Sequence, residues 1–507
     1  MLKKILSILV VFSSFSVQAN ALSIDQKIDQ ILTPIAALFT SIIFFSVDIF
    51  GTQFPLIVLW LVIAAAIFTF YFGFINISGI KHSCKVIRGD FSDSHDPGEV
   101  SHFQALTTAL SGTVGLGNIA GVAIAISIGG PGATFWMIIA GFLGMSSKFL
   151  ECSLGVKYRH INEQGQVRGG PMYYLKDGLA ELGYHKLGKF LASFFAVCCV
   201  VASLCGSNML QSNQAYQQFV IAMGSDSSFW ADKGWLFGSI LAVVIGVVII
   251  GGIKSIAKVT EKVVPLMAGI YLAAALFVLA YHYTEIPHAF TLIIEGAFNP
   301  IGVAGGIIGV MIQGFKRATF SSEAGVGAAS IAHAAASTKE HIREGYVALL
   351  EPFIDTIVIC TITALVIIIT GAYQTTNGID GVALTSSAFA SVIWWFPYLL
   401  SVAVLMFAIS TMISWAYYGS IAWGYLFGES KLVEIIYKLI FCLFTALGAS
   451  VSLNAVIDIS DSMFFSMAIA NIIGLYLLAP VIKQDLKKYQ TTYCTSPEAE
   501  QYVEAKH

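Results

Sequence analysis

Ser111-Gly112-Thr113-Val114-Gly115-Leu116-Gly117-Asn118 lies in the middle of an apolar run covering roughly residues 101–130, and Gly121 follows it closely. Each glycine weakens a helix by up to about 1 kcal/mol relative to alanine. The run therefore predicts a helix broken near its centre. Lipid cannot satisfy freed backbone groups, so such a break must face a cavity or a ligand. Its liberated N–H groups and positive helix end suit a carboxylate. Its liberated carbonyls, joined by the Thr113 hydroxyl and the Asn118 amide oxygen, suit a hard cation such as sodium. Close helix packing through small residues is the competing reading, but packing has no need of the Thr113 and Asn118 oxygens. Residues 115–120 also spell G-x-G-x-x-A, yet no strand–helix–strand context surrounds them, and the nucleotide-binding reading is rejected.

The surroundings are membrane-like throughout. The chain of 507 residues is 57% hydrophobic and 11% charged, against about 25% charged in soluble domains. Apolar runs of about twenty residues recur. Candidate spans cover roughly 55–79, 101–130, 132–157, 187–222, 235–253, 260–283, 299–337, 344–372, 393–427, 432–455 and 459–482. The expectation is an all-α polytopic membrane protein with about eleven transmembrane helices. Residues 31–50, which include Asp48, read as a short interfacial helix or part of a hairpin. A net charge of −3 points to no nucleic-acid partner. The eight cysteines form no CxxC pair and the ten histidines no HExxH motif, so the sequence argues against a metal centre and an enzyme.

Lys3 and Lys4, an apolar stretch over residues 5–17, and Ala19-Asn20-Ala21 have the form of a secretory signal peptide, residues 1–21. A single transmembrane domain over 22–482 and a polar, loosely ordered tail over 483–507 would follow. With the mature N-terminus outside, one set of loops holds Lys81, Lys85, Arg88, Lys157, Arg159, Arg168, Lys254, Lys258, Lys339, Arg343, Lys431 and more, and the opposite set only Lys27 and Lys233. The positive-inside rule makes the rich set, and the C-terminus, cytoplasmic. The expected location is a bacterial cell or inner membrane.

A second glycine cluster occupies span 299–337: Gly302, Gly305, Gly306, Gly309, Gly314, Gly325 and Gly327, with Lys316, Arg317 and Glu323 among them. Each cluster opens a block of five spans, 101–283 and 299–482. An odd number per block inverts the second relative to the first. Matched broken helices in two inverted halves point to a transport site near the bilayer midplane. Arg317 and Glu323 are charges at membrane depth, which pair or line a wet path; a gating or structural role is expected, with Asp355 of the next span as a partner or as a brace for the second break. Asn208, Gln211 and Asn213 place three amides in one span. Either they bond to neighbouring helices or they face a ligand, Gln211 foremost.

These motifs carry a resemblance. Phe103-Gln104-Ala105-Leu106-Thr107-Thr108-Ala109-Leu110 with Gly115-Leu116-Gly117-Asn118-Ile119-Ala120-Gly121, and Gly129-Gly130-Pro131-Gly132-Ala133-Thr134-Phe135-Trp136-Met137, resemble the alanine or glycine:cation symporters. So do Gly314-Phe315-Lys316-Arg317, Phe320-Ser321-Ser322-Glu323-Ala324-Gly325-Val326-Gly327, Ile331-Ala332-His333-Ala334 and Phe353-Ile354-Asp355-Thr356-Ile357-Val358-Ile359-Cys360. The resemblance runs from about residue 50 to 480. It implies a leucine-transporter-like fold, with one leading helix and two inverted five-helix repeats.

It also implies roles. The break from Thr113 through Gly115, Leu116, Gly117 and Asn118, with Gln211, Asn213 and Gly314, would contact substrate, the amides near Leu116 and Gly117 taking its carboxylate. The carbonyls of Ser111 and Val114, with Thr113, Ser410 and Thr411, would hold one sodium ion, and Asn118 resembles a ligand of a second. Ser322 stands where the family commonly has Asn and Ala318 where it has Gly, departures that bear on substrate choice. The implied activity is sodium-coupled symport of alanine or glycine. A proton-coupled carrier of the same fold, or a sodium-coupled one preferring glutamine or serine, is the alternative.

Overall fold

The computed structural model describes residues 24–49, 52–93, 95–163, 165–224, 229–299, 305–375, 381–450 and 454–493. The expected signal peptide and residues 494–507 of the expected tail lie outside these. Helix α1 (Ile24–Ile43) lies against the last long helix, Phe44 touching Phe465 edge to face. A hairpin of β1 (Ser46–Ile49) and β2 (Thr52–Pro55) leads into α2 (Leu56–Tyr71), so residues 31–50 supply both a helix and a hairpin strand. After the short amphipathic α3 (Ile80–Arg88), the first block begins with α4 (His102–Thr113) and α5 (Val122–Gly129), joined through a π-helical turn at Gly117–Gly121. Ser101 and Gln104 form a reciprocal capping box that fixes where α4 starts.

Helix α6 (Ala133–Lys157) follows. The hairpin β3 (His160–Ile161) and β4 (Val167–Arg168) leads on to α7 (His185–Leu204) and, through a π-helical turn at Cys205–Leu210, to α8 (Gln211–Ala222). Helices α9 (Gly234–Ile250) and α10 (Gly252–Tyr281) close the block, and α11 (Ile286–Phe298) leads to the second. That block runs α12 (Gly306–Ser322), α13 (Ala329–His333), α14 (His341–Ala348), a π-helical stretch at Phe353–Cys360, α15 (Thr361–Ile369), α16 (Val382–Ala390), α17 (Phe396–Phe427), α18 (Lys431–Gly448) and α19 (Asn454–Tyr493).

Both predicted breaks are present. The halves His102–Thr113 and Gly117–Gly129 meet at 53°. Helix α12 ends at Glu323, a non-glycine residue held at φ 53°, and Gly325 and Gly327 carry the chain on at φ 84° and 96°. A left-handed backbone at a residue with a Cβ stores strain, which surrounding structure must offset.

Among the described residues, six continuous helices are long and apolar enough to cross a membrane, and the bent pair makes a seventh. The other four expected spans are weaker: Leu56–Tyr71 and Gly234–Ile250 are apolar but shorter, α12 carries Lys316 and Arg317, and α18 carries Lys431, Glu434 and Lys438. Seven of the eleven expected spans are thus long and apolar enough to cross among the described residues. One expectation is corrected. Residues 483–493 are not a loose tail but the last turns of α19, where Lys483 donates to the Tyr71 carbonyl at 2.7 Å and Tyr489 bonds His82 at 2.9 Å.

Candidate functional site

The first break is closed by its own asparagine. Gly115 N–H donates to Asn118 Oδ1 at 2.8 Å, and Asn118 Nδ2 donates to Asp355 Oδ1 at 2.7 Å and to Ser321 Oγ at 3.0 Å. Asp355 Oδ2 also accepts from Ser321 Oγ at 2.6 Å and Thr356 Oγ1 at 2.8 Å. Asn118 and Asp355 therefore brace the two broken helices against each other. The expectation of Asp355 as a partner for Arg317 gives way to this bracing role, the second reading offered for it. Asn118, implied as a sodium ligand, has its amide engaged in the same brace.

Beside the break, oxygens converge between α4 and α17. Thr411 Oγ1 donates to the Ser111 carbonyl at 3.1 Å, and Ser111 Oγ donates to the Ser410 carbonyl at 3.1 Å. Ser111 Oγ also meets Ser414 Oγ, which donates to the Thr108 carbonyl at 2.9 Å. These are neutral, hard oxygens of the kind an alkali cation takes. Ser410 contributes its carbonyl; its hydroxyl donates to the Phe407 carbonyl at 2.9 Å and turns towards Met267 of α10. Val114 is buried at the break. Ser414 was missed, although it lies on the Ser410–Thr411 face at helical i,i+3 and i,i+4 spacing.

A cavity of about 330 Å³ opens where the breaks approach each other. The α4–α5 break lines it with Thr113, Gly115, Leu116 and Gly117; the α7–α8 turn with Ser207; α8 with Gln211 and Gln214; α12 and its end with Arg317, Phe320 and Glu323; α17 with Thr411; and α19 with Ser460, Asp461 and Phe464. Gln211 Oε1, Arg317 Nε and Glu323 Oε2 are buried there with no hydrogen-bond partner among the described residues. Buried polar groups are nearly always paired, so three orphans around one hollow mark a place where a polar ligand belongs. Asp461, also missed, lines the same hollow as Arg317.

Two candidates stand elsewhere. Asn213 Nδ2 donates to the Gly448 carbonyl at 3.3 Å, and Asn208 Nδ2 to the Phe441 carbonyl at 2.8 Å. These amides tie α8 and its preceding turn to α18, and only Gln211 of the three lines the cavity. Gly314 faces α6, not the cavity: a Cβ there would come within 2.6 Å of the Ala133 carbonyl and Trp136. It is glycine because the two helices touch.

A second polar region has a different character. Lys148 Nζ sits 3.0 Å from Glu351 and 3.7 Å from Glu151. His333 places Nε2 2.6 Å from Glu351 and Nδ1 2.6 Å from Glu344, whose other oxygen meets His102. Asn471 joins Glu151 to the Gly325 carbonyl at 3.0 and 2.9 Å. All are buried. The chain of contacts stitches α4, α6, α13, α14 and α19 together around the second break.

The sequence matches the profile of the sodium:alanine symporter family over residues 37–503. It is 40% identical over 424 residues to the sodium/alanine symporter AgcS of Methanococcus maripaludis, covering 83% of this chain and 91% of that one. It is 34% identical over 424 residues to the probable sodium/glutamine symporter GlnT of Bacillus subtilis, covering 83% and 85%. Among solved structures, MhsT in complex with L-phenylalanine superposes with a TM-score of 0.53 at 16% identity, covering 80% of this chain and 95% of that one. That likeness establishes a leucine-transporter-like fold. The protein is a multi-pass membrane carrier rather than an enzyme, and it belongs to the sodium:alanine symporter family.

Proposed function

We propose that the protein carries a small neutral amino acid, alanine or glycine, into the cell together with sodium. The observation that carries this reading is the cavity between the two helix breaks, with its unpaired amide, guanidinium and carboxylate atoms. The freed N–H groups near Leu116 and Gly117 take the substrate carboxylate, a role favoured by the helix end behind them. The ammonium turns towards Glu323 and the last carbonyls of α12. Gln211 completes the polar ring. Leu116, Phe320 and Phe464 enclose the side chain, and a hollow of about 330 Å³ lies at the small end of the range for ligand pockets.

Sodium binds among the carbonyls of Ser111, Val114 and Ser410 and the Thr411 hydroxyl, with Ser414 close by. The α10 wall beside these oxygens offers Met267 and Thr260, while Lys262, the lysine nearest to them on that helix, is exposed. That arrangement favours sodium over a protonated side chain as the coupling charge. Sodium joins α4 to α17, so its binding steadies the bent helix in a form that accepts substrate. Rocking of the block braced by Asn118 and Asp355 against α17 then opens the site to the other side.

Proteoliposomes test the reading. An inward sodium gradient is expected to drive accumulation of labelled alanine, with unlabelled glycine competing strongly and glutamine weakly. Equal accumulation with potassium in place of sodium would refute the coupling. Stronger competition by glutamine than by alanine would reassign the substrate.

A further inference from the structure

A second hollow, of about 550 Å³, opens at the helix ends where α9 passes into α10 and where α18 begins. Its charged lining comprises Arg168 of β4, Lys254 of α10, Lys431 and Lys438 of α18, and the carboxylates of Glu99 and Glu434. Two of these charges are already engaged with each other. Lys438 pairs with Glu434 at 2.7 Å and donates to the Ile250 carbonyl at 3.2 Å. Glu99 accepts the Val167 N–H at 2.7 Å. Arg168, Lys254 and Lys431 are left without a carboxylate within ion-pair distance among the described residues. Arg168 Nε is buried and has no hydrogen-bond partner there.

The mouth of the hollow is built of exposed aliphatic side chains. Ile250, 73% exposed, and Ile435, 53% exposed, line it, and Val247 and Leu432 continue the exposed face along α9 and α18. A soluble anion would have no use for that wall. A diacyl lipid would, because its phosphate and its chains lie at adjoining depths.

We propose that this hollow is a binding site for an anionic phospholipid. The phosphate sits among Arg168, Lys254 and Lys431, and the acyl chains run over Ile250, Ile435 and the outer faces of α9 and α18. Basic pockets between transmembrane helices at the membrane boundary hold such headgroups, each cation near the surface contributing roughly a fivefold gain in affinity. The proposal stands apart from the identity of the transported substrate.

Native mass spectrometry of the full-length protein in detergent, titrated with phosphatidylglycerol or phosphatidylcholine, tests it. The protein is expected to retain phosphatidylglycerol preferentially. R168Q/K254Q/K431Q should lose that preference, and the exposed single variant K254Q should weaken it roughly fivefold without disturbing the fold. K186Q/K189Q, which removes two exposed lysines of α7, should keep it. Equal retention of both lipids, or unchanged preference in the triple variant, overturns the site. Displacement of phosphatidylglycerol by inorganic phosphate at matched concentration would overturn the lipid assignment in favour of a simple anion site.

Discussion

Two buried polar regions lie close together in this protein, and they are built on opposite principles. In the cluster of Lys148, Glu351, His333, Glu344 and His102, charge meets charge at hydrogen-bond distance. In the cavity, Gln211, Arg317 and Glu323 each present an atom that nothing among the described residues satisfies. Desolvating a charge is expensive in either place. The cluster recovers that cost within the fold, so it holds helices together. The cavity leaves it outstanding, so it is ready to recover it from a ligand. Polarity alone does not mark a binding site in a membrane protein; unsatisfied polarity does.

Substitutions should separate the two regions. The largest effect is expected from Glu351→Ala, which strips a partner from both Lys148 and His333. Breaking a buried pair this way costs about 3–5 kcal/mol, read as a steep fall in thermal unfolding temperature in detergent. An unchanged midpoint would dissolve the distinction. Next comes Glu323→Gln. Losing the proposed charged hydrogen bond to the substrate is expected to weaken alanine binding about tenfold or more, with little change in the unfolding midpoint. A drop as large as that of Glu351→Ala would move Glu323 into the structural cluster.

Smaller effects sharpen the boundary. Thr411→Ala removes one neutral oxygen from the proposed ion site and should raise the half-saturating sodium concentration by roughly twofold to tenfold in a folded protein. An unaltered sodium titration would remove Thr411 from the site. The smallest effect belongs to Asn213→Ala. It breaks an interhelical bond to Gly448 worth about 0.6 kcal/mol and leaves the affinity for alanine as it was; a marked loss of alanine binding would return Asn213 to the cavity.

What the sequence disclosed follows from what each region is made of. Glycine reports backbone directly, so both breaks were legible from Gly115, Gly117, Gly325 and Gly327. The amides were legible as a group but not one by one. Asn208, Gln211 and Asn213 share a short stretch, and only packing decides that two bond to α18 while Gln211 faces the hollow. Gly314 was misjudged because a glycine that lets helices touch looks the same in sequence as one that frees a ligand site. Lys148 and Glu151, three residues apart in an apolar span, carry no local sign of their distant partners Glu351 and Asn471. Ser414 has no signal beyond its helical spacing from Ser410 and Thr411, whereas Asp461 stands as a lone carboxylate at the start of the span 459–482.

The central claim is that one bent helix serves ion and amino acid together, through Ser111 on one side and Leu116 and Gly117 on the other. Equilibrium binding of alanine to the purified protein, measured across a series of sodium concentrations at constant ionic strength, tests it most directly. Linkage requires that sodium tighten alanine binding by the same factor as alanine tightens sodium binding, and Thr411→Ala should flatten that dependence. An alanine affinity that stays the same when sodium is replaced by potassium would contradict the account.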